Sequence, residues 1–312
     1  MKPNQPGTGP KKHHWWPVVQ SRHWTDSNGH ISVTRSDGTI FPVNPLKIGR
    51  KSELYTRFGA DDFQDTAIEK WFSETVDGPA AEMITYLLDP ENVYRTLVSV
   101  DSKKAETARS LGFRVNAYID KIRLTAEIRK AIARYLAALL VRHPMYLAKL
   151  VQFQAVDAGS PVEAKNRALD NMLLLFGVYA ERIAKSVLLV SRRVGDAEYL
   201  YADGGLMVQE PWHTSHGIPF DIHAPLTPDI AIQVLPTPFA TNLDVAMIAE
   251  STNQGVARQN RIILGGACRF VFSRQAPPTK FIVKYFGKPA PKNIGLSITD
   301  DGLQTYYDSS RQ

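Results

Sequence analysis

Three titratable residues lie in sequence contexts that are typical of active sites. Asp203 lies between a predicted strand and two glycines, where close backbone approach lets a carboxylate contact a ligand or a metal. His14 follows a Lys-Lys-His run, and an imidazole beside basic residues can act as a general acid or base or bind phosphate. Glu69 lies on a predicted helix beside two aromatic residues and is a candidate base or metal ligand. We therefore predict that His14, Glu69 and Asp203 are catalytic.

Each of these candidates also has a structural interpretation. Asp-Gly is a common turn pair, so Asp203 can be an ordinary turn residue. His14 can cap or pack against the turn that Pro17 closes. Glu69 can form a buried ion pair with Arg142, and such pairs usually serve geometry rather than stability. These interpretations stay open beside the catalytic ones.

Further polar residues are candidates for binding an anionic substrate. Arg142 ends a predicted helix, and Asn260 lies with Arg258 on another, where both can hold a phosphate or a carboxylate. The alternative for Asn260 and Arg258 is hydrogen bonding to the neighbouring sheet. Brought into one cleft with the titratable residues, Arg142 and Asn260 would complete an acid–base pair and an anion clamp.

A histidine-rich segment is a candidate metal site. His213, His216 and His223 form a His-x2-His-x6-His pattern with Asp221 nearby. Zinc takes three or four N, O or S ligands in tetrahedral geometry, and this spacing matches no standard zinc module. We therefore assign no metal ligand, and the cofactor stays unassigned.

Well-known catalytic motifs are absent from the sequence. It contains no Walker A motif, no Gly-x-Gly-x-x-Gly after a strand, no His-Glu-x-x-His and no Gly-x-Ser-x-Gly. Asp203 and Glu210 have no Glu-x-Lys partner in the next strand, which argues against a restriction-type nuclease core. The apolar neighbours of Cys268 predict burial rather than reactivity.

The basic charge is concentrated near the N-terminus. The net charge is +6, and residues 1–60 contain nine Lys and Arg against three Asp and Glu. A second excess lies in 121–150, where seven basic residues accompany Glu127. Two basic segments that meet would attract phosphates, so nucleic acid or a nucleotide is the predicted partner. The alternative is a solvated basic face that only keeps the protein in solution.

The composition is that of a folded chain. Its 312 residues are 44% apolar and 22% charged, which excludes a disordered or collagen-like protein. The single cysteine excludes a disulfide framework, and the chain lacks the apolar run of about 18 residues that spans a membrane. The N-terminus has no apolar signal-peptide core, so we expect a cytoplasmic protein with a disordered lead over 1–12.

The hydrophobic pattern predicts a mainly helical α+β fold. Two alternating runs within 30–43 flank Ser36-Asp37-Gly38 and predict an N-terminal β-hairpin. Helices are predicted over 61–76, 79–88, Thr125 to Arg142 and 144–155, with one long helix over 161–193 and another over 244–264. Strands are predicted for AEYLYA, LMVQE, FDIHAPL, IAIQVLP and CRFVFSR, which form a small antiparallel sheet in the C-terminal half. We expect one domain over 13–287 and a poorly predicted tail over 288–312.

A series of spaced motifs runs from about residue 13 to 275. They are His14-Trp15-Trp16-Pro17, Glu53-Leu54-Tyr55-Thr56, Ile68-Glu69, Arg142-His143-Pro144, Tyr201-Ala202-Asp203-Gly204-Gly205, Pro225-Leu226-Thr227-Pro228, and Asn260 to Ala267 followed by Arg269, Val271, Phe272 and Ser273. In order and spacing they resemble the bacterial domain of unknown function 4238 family. The resemblance implies that Arg269 joins Arg142 and Asn260 as a substrate-binding candidate, and it transfers no activity.

The same motifs depart from the family pattern at three positions. The family has Ser and Pro around the acidic residue, where this chain has Ala202 and Gly205, and it has Thr where this chain has His143. These departures imply either a divergent subfamily or an inactive site.

Two functions follow from these observations, and the sequence does not decide whether the protein is an enzyme. The first is a hydrolase or nuclease-like enzyme that acts on a phosphate-bearing substrate. The second is a non-catalytic binding or regulatory protein, in which the same residues stabilise a helical scaffold and a basic face docks nucleic acid or an acidic partner.

Overall fold

The predicted helix after Thr125 is a central element of the fold. Helix α5 (Ala126–Val141) begins where the Thr125 hydroxyl accepts a hydrogen bond from the N–H of Ile128, as an N-cap does. Its apolar stripe is buried, and α5 lies against helix α7 (Pro161–Ala184). The guanidinium of Arg129 then donates to the carbonyl of Ala184, the last residue of α7, at 3.1 Å and to that of Ser186 just beyond it at 3.0 Å. The two helices are therefore held together at one end.

The computed structural model describes residues 12–59, 64–97, 102–110, 112–116, 118–209, 221–235, 243–288, 294–299 and 302–307. The remaining helices are α1 (Val18–Ser21), α2 (Ala67–Phe72), α3 (Gly78–Leu88), α4 (Ser102–Ser110), α6 (Pro144–Gln154), α8 (Asn253–Gly265) and α9 (Thr279–Tyr285). The strands are β1 (Lys12–His14), β2 (Ile31–Arg35), β3 (Ile40–Val43), β4 (Arg50–Ser52), β5 (Arg57–Phe58), β6 (Gln64–Asp65), β7 (Val93–Leu97), β8 (Tyr118–Arg123), β9 (Val187–Arg193), β10 (Tyr201–Ala202), β11 (Met207–Gln209), β12 (Asp221–Pro225), β13 (Ile230–Leu235), β14 (Val245–Ser251), β15 (Phe270–Ser273), β16 (Ile294–Thr299) and β17 (Gly302–Tyr307).

A mixed sheet of seven strands organises the centre of the protein. Its strand order is β11-β12-β13-β9-β14-β8-β7, and β9 and β14 are parallel while the other neighbours are antiparallel. One face packs on α3, α5 and α7 through a buried cluster that includes Met83, Leu136 and Met172. The opposite face carries α8, where Val256 packs on Ala231. The sheet is thus covered on both faces.

A second sheet joins the two ends of the chain. Its order is β10-β15-β2-β3, all antiparallel, so the predicted hairpin β2–β3 is confirmed and pairs with a strand near the C-terminus. Gly38 has a φ of +86° in the hairpin turn, a conformation that favours glycine. Trp16 stacks on Tyr201 with ring centroids 4.4 Å apart, and this contact fixes the segment just after β1.

The prediction of a mainly helical protein with one small C-terminal antiparallel sheet is wrong. The predicted helix over 161–193 ends at Ala184, and the chain continues as the central strand β9. The predicted helix over 244–264 divides into strand β14 and helix α8. Strands β7 and β8, in the first half of the chain, were not predicted and extend the same sheet. These strands turn the expected small sheet into a large mixed one.

The predictions for the two ends of the chain can be compared with the structure only in part. Residues 1–11 of the predicted disordered lead lie outside the described residues. In the predicted tail, β16 and β17 pair as an antiparallel hairpin. The single domain over 13–287 stays a prediction. No helix within the described residues combines the length and apolar character needed to cross a membrane.

Candidate functional site

The structure brings three of the predicted residues together: His14, Glu69 and Arg142. Arg142 is the central residue of this group. Its side chain is fully buried at the C-terminal end of α5. One terminal nitrogen, Nη1, donates to the Asp77 carboxylate at 2.7 Å, and the other, Nη2, donates to the carbonyl of His14 at 2.6 Å. Its guanidinium also lies over the ring of Phe72, 4.5 Å from the centroid. A helix end and a strand end are therefore joined through one buried cation.

Glu69 completes this group. Its Oε1 accepts the backbone N–H of His14 at 3.3 Å. The expected ion pair between Glu69 and Arg142 is not the one that forms, since Arg142 pairs with Asp77. Glu69 and Arg142 still act on one another electrostatically. His14, Glu69, Asp77 and Arg142 are called the His14 site below.

A π-helical turn explains how two carboxylates from one helical segment reach the same place. Residues eight positions apart, such as Glu69 and Asp77, are about 80° apart around an ideal α-helix. The segment Ser73–Asp77 between α2 and α3 is π-helical and turns less per residue, which brings Asp77 to the side of Glu69. Such turns are frequent at functional sites.

Three buried polar atoms in the His14 site have no hydrogen-bond partner among the residues that the structure describes. They are Nδ1 of His14, Oε2 of Glu69 and Nε of Arg142. Buried polar atoms usually have a partner in folded proteins, and three of the twelve exceptions among the described residues lie in this site. The site is not closed, because His14 and Glu69 are half-buried and the Asp77 side chain is 22% exposed. The three atoms themselves are buried, so a polar ligand or water would reach them only by entering between these partly exposed side chains.

The electrostatics of the site move the two titratable groups away from their ordinary behaviour. Burial lowers the pKa of His14, and the positive charges of Arg50 and Arg142 lower it further. Burial raises the pKa of Glu69, although the charge of Arg142 opposes this. At neutral pH, His14 is therefore a neutral imidazole that can accept a proton, and Glu69 holds a proton more readily than an exposed carboxyl.

Residues that the sequence did not single out support the site. Asp77 was overlooked because the following Gly-Pro pair resembles a simple helix boundary. Tyr55, quoted only within a motif, donates its hydroxyl to the carbonyl of Arg142 at 2.6 Å. The backbone N–H of Tyr55 donates to Nδ1 of the fully buried His13 at 2.8 Å, and the two rings stack. The Lys-Lys-His-His run was the available signal for His13.

Asp203 lies outside the His14 site, in a separate group of hydrogen bonds that includes His143. Its carboxylate accepts the N–H groups of Cys268 at 2.8 Å and of Arg269 at 2.9 Å, and it is only 6% exposed. Its carbonyl accepts a hydrogen bond from Nε2 of His143, whose Nδ1 caps α6 by accepting the N–H of Met145. Since His143 follows Arg142 in the chain, Asp203 is connected to the His14 site through one residue.

The other substrate-binding candidates lie apart from the His14 site or on the surface. Asn260 uses both ends of its amide within the protein, accepting the N–H of Leu200 at 2.9 Å and donating to the carbonyl of Glu198 at 2.8 Å. The Arg269 side chain is 80% exposed. The expectation that Cys268 is buried is wrong, because it is exposed.

The contacts of Asp203 predict a structural effect of its removal. Asp203→Asn should lower the free energy of unfolding by about 1–3 kcal/mol, because an amide nitrogen would then face buried N–H donors. Urea unfolding measures this change, with Asp196→Asn at an exposed position as the control. Unchanged stability together with lost turnover would instead support a catalytic Asp203.

The histidine-rich segment is only partly described. His213 and His216 lie outside the described residues. Burial, together with the positive charge of Arg258, lowers the pKa of His223 to about 4, so this imidazole is neutral at pH 7. Within the described ranges, no group of three or more His, Cys, Asp or Glu side chains is arranged to hold a metal ion.

Comparison with models of known protein families identifies a match over most of the chain. The model of a family described as "Protein of unknown function (DUF4238)" matches residues 12–277, which is most of the chain. No curated protein matches the chain, and neither does any solved structure. The match includes the His14 site, Asp203 and Asn260.

Proposed function

The chain belongs to the DUF4238 family of proteins of unknown function, and from that premise we propose a function based on the site itself. The protein is an enzyme that hydrolyses a phosphate-bearing substrate by general acid–base chemistry at the His14 site. The observation that carries the proposal is the set of three buried atoms on His14, Glu69 and Arg142 that have no partner in the described part of the chain. An imidazole, a carboxyl and a guanidinium are the groups that such a reaction needs.

Each group has a role that its surroundings support. Neutral His14 accepts a proton at Nδ1 from a water molecule whose oxygen attacks the phosphorus atom. Glu69 donates its proton to the leaving oxygen as the bond between phosphorus and that oxygen breaks. The charge of Arg142 stabilises the negative charge that develops on the transferred group. The proton taken up by His14 returns to solvent, and a later proton restores Glu69.

The remaining predicted residues act through others in this proposal. Asp203 and Asn260 are positioning residues, because their polar atoms are engaged with backbone groups. Asp203 orients the loop that carries Arg269 and holds His143, which in turn caps α6 beside Arg142. Arg269 lies with its Nε 3.9 Å from the Asp203 carboxylate, and its 80% exposed side chain is available to a substrate at the surface.

A second candidate function is binding without turnover. One observation favours it: both terminal nitrogens of Arg142 are already used by Asp77 and by the carbonyl of His14. A residue used in this way can stabilise a scaffold rather than serve chemistry. In that case the protein would bind phosphate-bearing ligands, including nucleic acid, and release them unchanged.

Turnover of phosphate esters distinguishes the two functions. The wild-type protein should cleave at least one member of a panel of p-nitrophenyl phosphate, bis(p-nitrophenyl) phosphate, mononucleotides and short oligonucleotides. His14→Gln should reduce the rate by about 100-fold, which is typical for the loss of a general base. The exposed His30→Gln is the control and should leave the rate unchanged. A wild-type protein that binds these esters and cleaves none would support the binding function.

A further inference from the structure

Strands β1 and β4 form a short ribbon beside the His14 site. In their antiparallel register, His14 lies opposite Arg50, Lys12 opposite Ser52, and His13 opposite Lys51. Residues directly opposite one another share a face, and alternate residues along a strand share it too. Lys12, His14, Arg50 and Ser52 therefore lie on one face, which is called the ribbon face below.

The cations of the ribbon face have no ion-pair partner within the described ranges. Neither Lys12 nor Arg50 forms an ion pair or a side-chain hydrogen bond with the described part of the chain. Lys12 is exposed and Arg50 is half-buried. Arg50 also acts on His14 more strongly than any other charge does. As far as the described residues show, two positive charges without ion-pair partners thus share a face with the imidazole.

The ribbon face supplies donors that the His14 site lacks. The guanidinium of Arg142 is fully buried and already donates to the Asp77 carboxylate and to the carbonyl of His14, so it offers a substrate little direct contact. An unpaired guanidinium such as that of Arg50 can contact two oxygens of a phosphate at once. Lys12 lies about 7 Å from His14 along the strand, within reach of a second charged oxygen.

We propose that the ribbon face is the phosphate-binding surface of the protein, with Arg50 and Lys12 holding a phosphate ester beside His14. This inference rests on the proposed function for the fate of the bound ester. It makes Arg50 a specificity-determining residue that selects phosphate esters over uncharged ones. The same chemistry would recognise a free nucleotide or a nucleic-acid strand.

Lys51 offers a matched control for Arg50. The two residues are adjacent on β4, and removal of either lowers the net charge by one. Lys51 is exposed on the opposite face of the ribbon, and its charge acts on Lys165 of α7 rather than on His14. If the ribbon face is a specific binding surface, loss of Arg50 weakens ligand binding more than loss of Lys51 does. If the basic segment attracts the ligand only by its overall charge, the two losses have equal effects.

The test measures binding separately from turnover. Titration calorimetry with adenosine monophosphate, and fluorescence anisotropy with a labelled single-stranded oligonucleotide, are performed at low and physiological salt. Arg50→Gln should weaken binding of the preferred probe about tenfold or more, and Lys51→Gln should change it less than twofold. Preference for the oligonucleotide with a steep loss of affinity in salt would identify nucleic acid as the source of the phosphate. Preference for adenosine monophosphate would identify a free nucleotide.

Other outcomes would overturn the inference. Equal weakening by Arg50→Gln and Lys51→Gln would mean that only diffuse charge attracts the ligand, and failure of the wild-type protein to bind either probe would remove the surface altogether. Thermal unfolding of both variants shows whether a loss reflects misfolding, and Lys12→Gln then provides a second variant of the same face. If binding depends on Arg50 while no ester is cleaved, the result supports phosphate binding by the ribbon face and contradicts the proposed hydrolysis.

Discussion

Replacement of Arg142 by methionine should lower the free energy of unfolding by about 3–5 kcal/mol. The substitution leaves the partly buried Asp77 carboxylate and the carbonyl of His14 without their donor, and it removes the cation over Phe72. Breaking one side of a buried ion pair is among the most destabilising single changes in a protein, because the remaining charge is uncompensated. Methionine keeps much of the side-chain volume, so a cavity contributes little.

Urea unfolding followed by circular dichroism measures this effect. Lys130→Met is a suitable control, because Lys130 lies on the same helix at an exposed position. A double variant that also carries Asp77→Asn should recover part of the loss, since the unpaired carboxylate is then gone. A change below about 1 kcal/mol for Arg142→Met would contradict the role of this residue as the connector of the site.

Replacement of Glu69 by glutamine should have opposite effects on activity and on stability. Turnover of the phosphate ester should fall by about 1,000-fold, within the range for the loss of a general acid. Stability at pH 7 should be equal to or higher than that of the wild type, because the pKa of Glu69 is raised by burial and its charged form is unfavourable in the fold.

The raised pKa of Glu69 determines how the stability difference between Glu69→Gln and the wild type changes with pH. A carboxyl whose folded pKa is raised stabilises the protein below its unfolded pKa, and this contribution is lost as the pH rises through the folded value. The stability of Glu69→Gln relative to the wild type should therefore increase between pH 4 and pH 7. Glu74→Gln, exposed in the π-helical segment that follows, is the control. Retained turnover with a marked loss of stability would assign Glu69 to the scaffold.

Local signals made part of the fold predictable. The Asp-Gly turn with alternating flanks specifies the hairpin β2–β3, and the cap at Thr125 with its apolar stripe specifies α5. The chain contains no comparable local signal for β9. Both faces of this strand are covered, so its residues form a continuous apolar run that resembles the end of a buried helix. The run directly follows the true helix α7, and the two merge into one predicted element.

The sequence was sufficient to predict most of the residues that belong to the candidate site. It was not sufficient to predict which of them contact one another. His14 and Glu69 stand out because titratable residues lie beside aromatic or basic neighbours. The partner of Arg142 was not predictable, since Asp77 reaches it only through a π-helical turn, which leaves no simple periodic pattern. The register that sets Arg50 opposite His14 also depends on tertiary structure, because 35 residues separate β1 from β4.

The pairing of β2 with β15 has a consequence for the order of assembly. The hydroxyl of Ser273 donates to the carbonyl of Ser32, a partner 241 positions earlier, and Trp16 stacks on Phe272 nearby. A nascent chain emerging from the ribosome can form its central helices early, but the segment that carries His14 lacks these contacts until β15 has been translated. A polypeptide that lacks β15 would therefore leave the segment that carries His14 without these contacts, so the order of synthesis delays completion of the His14 site.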